Sequence, residues 1–400
     1  RASDLAVVQA RMVGDALTAR WPDLKVVHQT RSSAGDRSPA GALAEAGNRG
    51  WFTEDLSTQL LEGTADLAVH SWKDLPIRDY PGTVVAGTLP RADVRDVLLV
   101  RNDALTARPA TLSVLTSSPR RAWQLQSALR PLLPWPVEAI EPIAVRGNVP
   151  TRLFKLLRGD GHALVVAKAA LDRLLNPGSI EQTAADVRHT LRMCRWMILP
   201  VRDFPAAPAQ GALAIEVALN REDVLERVRA ISDQPTETAC RTERAILEAH
   251  GGGCHQAIGA TILVRAFGSV TSVNGLLPDG RGISRWSLST PRSTLPPAED
   301  LQFVWPRPGE TAVRARHPRG NVSIDEDAHL FVTRADALPS GIRPGPDQLV
   351  WAAGPTTWRK LAARGIWVNG SAEGLGDDRP DIDVLAGSST RWVRLTHGGS

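Results

Sequence analysis

Residues 113–175 decide the fold class and read SVLTSSPRRAWQLQSALRPLLPWPVEAIEPIAVRGNVPTRLFKLLRGDGHALVVAKAALDRLL. Three times in this stretch a short apolar run is followed by a helical pattern. The pattern predicts strands at 113–115, 143–145 and 163–167 and helices at 119–129, 149–157 and 169–175. Such an alternation is typical of an α/β domain built on a parallel sheet.

The same alternation extends towards the N-terminus. We predict buried strands at 67–70 and 83–89, with a helix between Phe52 and the first of them. The charged stretch 91–96 lies between the two series and is interpreted either as a hinge or as a solvated loop.

The pattern changes after Pro205. A strand at 212–217, helices at 222–231 and 237–250, and alternating strands around the turn 278–280 predict a smaller α+β domain. Residues 286–325 are rich in Pro, Ser, Thr and Arg and are interpreted as a linker. The residues after it resemble the start of another α/β unit.

The composition is that of a soluble globular protein and argues against two classes of partner. Of the 400 residues 42 % are apolar and 22 % charged, and no run of about 18 apolar residues could span a membrane. The net charge of +4 rests on five lysines and 42 arginines. No basic run with interleaved aromatic residues occurs, so we expect no nucleic-acid partner.

The cysteines are too few for a disulfide framework or a four-ligand zinc site. They stand at Cys194, Cys240 and Cys254. We therefore expect no metal. We also expect a reducing, cytoplasmic location, since no charged-then-apolar leader pattern opens the sequence.

The segment HSWKDLP, residues 70–76, places polar groups directly after a predicted buried strand. In open α/β sheets ligands bind beyond the carboxyl ends of the strands. A carboxylate at Asp74 could orient N–H groups or stabilise a developing cation. The alternative is a Lys73–Asp74 surface pair that caps the next element.

Two predicted helix starts carry arginines, in TSSPRR (116–121) and VRGNVPTR (145–152). Ser118 can cap the first of these helices, and free N–H groups at a helix start attract anions. Two arginines in a first turn oppose the helix dipole unless an anion binds there, although they could also point to solvent. Two such starts on neighbouring units favour a ligand with several carboxylates or phosphates. Neither glycine motif of nucleotide-binding proteins occurs.

The run GGGCH, residues 251–255, places a thiol on an unhindered loop that a bulky group could approach. The alternative for Cys254 is a small buried apolar side chain.

Taken in order, these segments resemble the porphobilinogen deaminase (hydroxymethylbilane synthase) family over about residues 1–290. The opening RASDLAVVQA (1–10) is similar to the family's R-x-S-x-L-A-x-x-Q-A, and APAQGALAIE (207–216) to its A-x-x-Q-G-A-x-x-I-E. The segments HSWKDLP, TSSPRR, RGNVPTRL and the GGC loop fall in the family's order.

The resemblance implies a transferase of tetrapyrrole and haem biosynthesis that joins four porphobilinogen molecules head to tail into hydroxymethylbilane and releases ammonia. It implies a dipyrromethane cofactor held by a thioether to Cys254. Asp74 would be catalytic, through hydrogen bonds to pyrrole N–H groups and stabilisation of the azafulvene cation left after deamination. The implied cofactor-binding residues are Cys254, Ser71, Lys73, Thr116, Ser118, Arg120, Arg121 and Arg146, and the implied substrate-binding residues are Arg1, Arg152 and Arg173.

The resemblance further implies a monomer with two lobes like those of a periplasmic binding protein. We expect residues 1–92 with 195–215 in the first lobe, 93–194 in the second, and 216–300 in a small α+β domain that carries the cofactor. Residues 301–400 would form a linker and an accessory α/β segment. Parts of that segment are faintly similar to uroporphyrinogen-III synthase, but it is too short for that two-domain enzyme.

Several residues depart from the family's pattern. Trp72 stands where methionine is common and could restrict the cleft, and Ala209 stands where glycine is usual. The segment 30–33 lacks the Gly-Asp that usually follows the family's Thr-Arg, so the lid could differ. Two rival functions follow: an anion-binding or pyrrole-binding module that is not an enzyme, and a degenerate relative without turnover. The binding module would need the arginines but neither Asp74 nor Cys254.

Overall fold

Two β-sheets joined by two chain crossings form the centre of the computed structural model, which describes residues 3–30, 54–176, 178–251, 256–290, 327–376 and 379–396. The helices are α1 (Asp4–Arg20), α2 (Glu54–Leu61), α3 (Asn102–Ala107), α4 (Pro119–Ala128), α5 (Val149–Arg158), α6 (Lys168–Leu175), α7 (Glu181–Arg192), α8 (Glu222–Ile231), α9 (Gln234–Ala249), α10 (Pro355–Ala362) and α11 (Asp383–Ala386). The strands are β1 (Ala68–Ser71), β2 (Thr83–Gly87), β3 (Asp96–Arg101), β4 (Thr111–Leu115), β5 (Ala139–Ile143), β6 (Ala163–Ala167), β7 (Cys194–Ile198), β8 (Leu213–Ala218), β9 (Ala257–Arg265), β10 (Gly268–Leu276), β11 (Gly282–Ser289), β12 (His329–Val332), β13 (Val350–Ala352), β14 (Gly370–Ser371) and β15 (Trp392–Leu395). Short 3-10 helices cover Trp72–Asp74, Arg130–Leu132 and Ala335–Ala337.

The first lobe is built on a three-stranded sheet in the order β1–β8–β2. Strand β8 runs antiparallel to both neighbours. Helices α1 and α8 contribute Val13, Val224 and Val228 to the core that covers the sheet. Helix α8 therefore packs on the first lobe, because its apolar face contacts this sheet. The expected boundary at residue 216 would have placed this helix in the third domain.

The second lobe is built on a five-stranded sheet in the order β5–β4–β6–β3–β7. Strands β5, β4 and β6 are parallel, as predicted, whereas β3 runs antiparallel to β6 and β7. The sequence pattern predicts neither β3 nor β7, and the sheet is not parallel throughout because β3 enters the lobe at the end of the sheet where β6 and β7 finish.

Strand β5 begins and ends earlier than the predicted 143–145, because it pairs in parallel with β4, with Ala139 opposite Thr111. The chain after β5 forms a loop instead. Ser117 holds that loop at Val145, donating to its carbonyl oxygen over 2.6 Å and accepting from its N–H over 2.9 Å.

Two chain segments connect the lobes: the first crossing, residues 88–95, and the second crossing, residues 199–212. We expected the return to the first lobe from residue 195. Strand β7 instead completes the second sheet beside β3, and the return begins after Ile198. The charged stretch 91–96 covers the end of the first crossing and the first residue of β3, and it is largely shielded from solvent, which favours the hinge interpretation.

The third domain packs helix α9 against the antiparallel meander β9–β10–β11, in agreement with the predicted α+β pattern. Its buried Glu243 binds both crossings. The carboxylate accepts two hydrogen bonds of 2.7 Å from Arg91 and one of 2.7 Å from the N–H of Ala209. The N–H of Ile262 in β9 donates a fourth, over 2.6 Å.

The described C-terminal residues form a parallel sheet in the order β14–β13–β12–β15 that packs against the second lobe. The indole N–H of Trp358 donates to the carbonyl oxygen of Leu132 over 3.1 Å, and that of Trp367 to the carbonyl oxygen of Trp196 over 3.0 Å. Apolar residues from both units share two core clusters. This segment is therefore part of the second lobe's core.

Glu373 joins the C-terminal segment to the second crossing. Its Oε1 accepts a hydrogen bond of 3.0 Å from the N–H of Val201, and its backbone is left-handed, at φ 61°. Only 8 % of the residue is exposed. Burial raises the pKa of Glu373 to about 7, although Arg95 favours the charged form.

Replacing Glu373 by glutamine is expected to stabilise the protein at pH 8 and to have little effect at pH 5. The folded protein holds this proton more tightly than the unfolded chain, so the free energy of unfolding falls as the pH rises from about 4.5 through about 7. The gap between these pKa values corresponds to on the order of 3 kcal/mol. Urea unfolding of both proteins at the two pH values measures it. Glu226→Gln, at an exposed position of α8, is the control. An equal Glu373→Gln effect at pH 5 and pH 8 contradicts the prediction.

Candidate functional site

A cleft of about 300 Å³ lies between the two lobes. The first lobe contributes the start of α1 and the end of β1, and the second lobe contributes the starts of α5 and α6. Residues 210–212 of the second crossing form its floor. The predicted site residues that line this cleft are Ser71, Lys73, Asp74, Arg121, Arg152 and Arg173.

Asp74 and Lys73 reach the cleft because β1 ends at Ser71 and the chain turns at once into a single 3-10 turn. Asp74 is exposed and Lys73 half-buried. The Ser71 hydroxyl accepts a hydrogen bond of 3.0 Å from Nε2 of Gln9 and donates one of 3.2 Å to its Oε1. Gln9 of α1 thereby orients Ser71, and both residues line the cleft.

Trp72, between these residues, does not line the cleft. It is 1 % exposed and packs in an apolar cluster with Val85 and Cys240. The guanidinium of Arg241 lies 5.6 Å from the centre of its ring. The expected restriction of the cleft by Trp72 is therefore wrong, because the 3-10 turn directs this side chain away from the cleft and towards α9 of the third domain.

The ammonium group of Lys73 donates a hydrogen bond of 3.0 Å to Oε1 of Gln210. Burial lowers the pKa of Lys73 to about 8, and the nearby charge of Arg121 acts in the same direction. Asp74 and Asp96 oppose this effect. Lys73 is therefore a cation near neutral pH that loses its charge within the physiological range.

The adjacent arginines at the start of α4 share one buried carboxylate, Asp96. Arg120 donates to it over 3.0 Å, and Arg121 donates twice, over 3.1 and 2.7 Å. Arg120 also binds the carbonyl oxygen of Pro205 and the side chain of Gln124. Arg121 lines the cleft and Arg120 does not. Asp96 therefore supplies part of the negative charge that the two arginines of the TSSPRR segment were expected to need.

Arg152 and Arg173 line the cleft on the second-lobe side. Arg152 donates to the carbonyl oxygen of Gly147 over 2.8 Å, and Arg173 to that of Gly211 over 2.6 Å. Burial lowers the pKa of Arg173 to about 10. Its Nε is buried and has no hydrogen-bond partner within the described parts of the chain.

Three further predicted residues lie near the cleft without lining it. Arg146 is exposed on the loop before α5. Ser118 caps α4, accepting from the N–H of Arg121 over 3.4 Å, and Thr116 accepts from the N–H of Ser118 over 3.2 Å. Both therefore shape the helix start that presents Arg121.

The remaining predicted site residues, Arg1 and Cys254, lie outside the described residues, and so does the lid segment from Arg31 onward. Where the structure does describe the chain, no group of three His, Cys, Asp or Glu side chains could hold a metal ion. In the same ranges no helix is long and apolar enough to span a membrane.

Two residues of the site escaped sequence reasoning. Asp96 was assigned only to the charged hinge stretch, and Gln210 only to a family motif. The one available signal was indirect: two adjacent arginines at a helix start favour an anion nearby, but nothing in the sequence selects Asp96 over Asp103 or Glu138, which stand closer in the chain.

Two lobes that enclose a cleft with four cations define a class of protein, one that binds small polycarboxylate or phosphate molecules between its lobes. The family model "Porphobilinogen deaminase, dipyromethane cofactor binding domain" matches residues 1–226. The chain belongs to the porphobilinogen deaminase family. The predicted family, its transferase activity and its dipyrromethane cofactor are thereby confirmed.

Curated relatives extend the match into the third domain. The porphobilinogen deaminase of Syntrophomonas wolfei is 35 % identical over 301 residues, which cover 75 % of this chain and 90 % of that protein. The enzyme of Moorella thermoacetica is 38 % identical over 286 residues, covering 71 % and 84 %. A solved extracellular-binding protein of an amino-acid ABC transporter from Bacillus subtilis covers 60 % of this chain and 85 % of its own, at 10 % identity and a TM-score of 0.30.

Proposed function

We propose that this chain is a hydroxymethylbilane synthase that condenses four porphobilinogen molecules head to tail and releases one ammonia per step. The growing chain would start from a dipyrromethane primer joined by a thioether to Cys254. The observation that carries this proposal is the position of Asp74, a carboxylate exposed in a cleft lined by Lys73, Arg121, Arg152 and Arg173.

The cleft fits a primer that carries several carboxylates. Arg173 has a buried Nε with no partner in the described ranges, and a carboxylate oxygen would satisfy it. Charge-assisted hydrogen bonds of this kind contribute about 1.5–3 kcal/mol each. When bound, the dipyrromethane supplies the free pyrrole carbon to which the next unit is joined.

The roles of the cleft residues follow from their charges. Asp74 would accept hydrogen bonds from pyrrole N–H groups and stabilise the positive charge that develops on porphobilinogen as ammonia leaves. Ser71, Lys73 and Arg121 would hold the carboxylates of the primer. Arg152 and Arg173, with Arg1, would hold those of the incoming substrate.

The other predicted residues would act at the edge of this site. Arg146 would bind primer carboxylates at the mouth of the cleft. Arg120, Thr116 and Ser118 would act through Arg121, whose position they fix. We also propose that the enzyme works as a cytoplasmic monomer.

The C-terminal residues would serve as a brace without chemistry of their own, and not as a uroporphyrinogen-III synthase fragment with activity. In support, the described part is built on a single sheet, and Trp358 of α10 and Trp367 before β14 donate hydrogen bonds to the second lobe.

Intact-mass measurement after incubation with porphobilinogen tests the proposed primer. We expect an adduct of at least two pyrrole units on the wild-type chain and none on Cys254→Ser, since only Cys254 would form the thioether. The matched control is Cys194→Ser, which replaces a buried thiol of β7 and should keep the adduct. A wild-type chain that stays unmodified would favour the anion-binding module. An adduct that survives Cys254→Ser would place the linkage elsewhere.

A further inference from the structure

Gln210 occupies an unusual turn in the second crossing. The residues on either side of it have left-handed backbones, with φ 62° at Ala209 and 88° at Gly211. This region is unfavourable for a residue other than glycine. Ala209 is nevertheless held there, because its N–H donates to Glu243. The turn thus places Gln210 at the cleft floor, where it is 1 % exposed.

The carboxamide of Gln210 is fully engaged. Its Nε2 donates to the carbonyl oxygen of Val94 over 2.7 Å and to Oδ1 of Asp96 over 2.9 Å. Its Oε1 accepts from the ammonium group of Lys73 over 3.0 Å. The opposite orientation of the amide would face its NH₂ towards an ammonium group and its oxygen towards a carboxylate, so these partners fix the orientation.

The three partners come from different parts of the protein. Lys73 belongs to the first lobe, Val94 to the first crossing and Asp96 to the second lobe. Asp96 in turn holds Arg121 by two hydrogen bonds. One neutral side chain therefore connects the cleft cations of both lobes.

We propose that Gln210 is a positioning residue of the active site: its carboxamide holds the Lys73 ammonium in the cleft and, through Asp96, orients Arg121 on the opposite lobe. This inference rests on the proposed function, which assigns both cations to the primer's carboxylates. A neutral acceptor holds the ammonium by its dipole and adds no charge that would compete with the ligand.

The test is the reactivity of Lys73 towards an amine-acylating reagent as a function of pH, read by peptide mass spectrometry on the full chain. Removing an acceptor from a charged donor costs about 1.5 kcal/mol or more. In Gln210→Met, the midpoint of the Lys73 titration is therefore expected to fall by about one pH unit from about 8, which makes acylation at pH 7 about fivefold faster. Lys155 of α5, which donates to the carbonyl oxygen of Arg146 and does not line the cleft, is the internal reference and should not change.

The matched control is Gln124→Met. Gln124 is also fully buried, and it binds the same crossing at Pro205 but does not touch Lys73. A Lys73 titration that is unchanged in Gln210→Met, or changed equally in Gln124→Met, overturns the proposal.

Gln210→Asn decides the question if the methionine variant does not fold. Its carboxamide is one methylene too short to bind Asp96 and Lys73 together, so the same downward change is expected, and an unchanged midpoint overturns the proposal. Because acylation needs no turnover, a protein with the expected lysine chemistry but no hydroxymethylbilane would refute the proposed function alone.

Discussion

Asp74→Asn is expected to lower the rate of hydroxymethylbilane formation by about a thousandfold while the protein stays folded. An amide retains the shape of the side chain but loses the charge that would stabilise the developing cation. At about 4 Å and an effective dielectric constant near 20, that attraction amounts to about 4 kcal/mol, which corresponds to roughly three powers of ten in rate. The measurement is the initial rate with saturating porphobilinogen, together with circular dichroism.

Asp79→Asn is the matched control for this experiment. Asp79 is also exposed and lies five residues further along the same loop region, but it does not line the cleft. Its replacement should leave the rate within about twofold of the wild type. Wild-type rates in Asp74→Asn would remove Asp74 from the mechanism. Losses of equal size in both variants would point to a general effect of charge.

Asp96→Asn is expected to destabilise the protein by about 3–5 kcal/mol. Asp96 is 1 % exposed and compensates the buried guanidinium groups of Arg120 and Arg121. Without its charge two buried cations face each other with no carboxylate between them, and the loss of one partner from a buried ion pair typically costs this much. Urea unfolding at pH 7 measures the change.

Asp103→Asn provides the comparison, since its pair with Arg101 has the carboxylate side chain 65 % exposed. Exposed pairs contribute about 0–1 kcal/mol, so this variant should be nearly as stable as the wild type. Equal stability of the Asp96→Asn and Asp103→Asn proteins would show that the buried cluster is not a source of stability.

The same cluster predicts a pH dependence. Burial alone would raise the pKa of Asp96, but Arg121 and then Arg120 outweigh burial and hold the pKa well below its usual range. The unfolded chain therefore binds this proton more readily than the folded protein. The stabilisation is present above about pH 4 and is lost as the pH falls below that value.

The sequence predicted several strands and helices but missed β3 and β7, and the expected parallel arrangement is wrong for the first lobe, where β8 runs antiparallel to β1 and β2. The apolar run at 163–167 coincides with β6, and the TSSPRR segment begins α4 at Pro119 as predicted. The antiparallel placement of β3 depends on pairing with β6 and β7, which lie about 70 and 100 residues further along the chain, and no local pattern records such pairing.

The candidate site was predictable to the extent that its residues follow strand ends. Asp74 and Arg152 were found because polar groups there face the edge of a sheet. Arg121 lines the cleft and Arg120 does not. This difference could not be predicted from the sequence, because it depends on how the two guanidinium groups are arranged around the buried Asp96. One departure from the family's pattern did indicate local structure. Ala209 stands where glycine is usual, and the backbone at this position is left-handed.

Strand β7 would be an open edge of the five-stranded sheet without the C-terminal residues. The N–H of Ile198 donates to the carbonyl oxygen of Asn369 over 2.8 Å, and the carbonyl oxygen of Trp196 accepts from the Asn369 amide over 3.0 Å. Unpaired strand edges recruit other chains and lead to aggregation. Residues remote from the chemistry thus cover this edge, and a chain shortened before them is expected to expose it, together with part of the second lobe's core, to other chains.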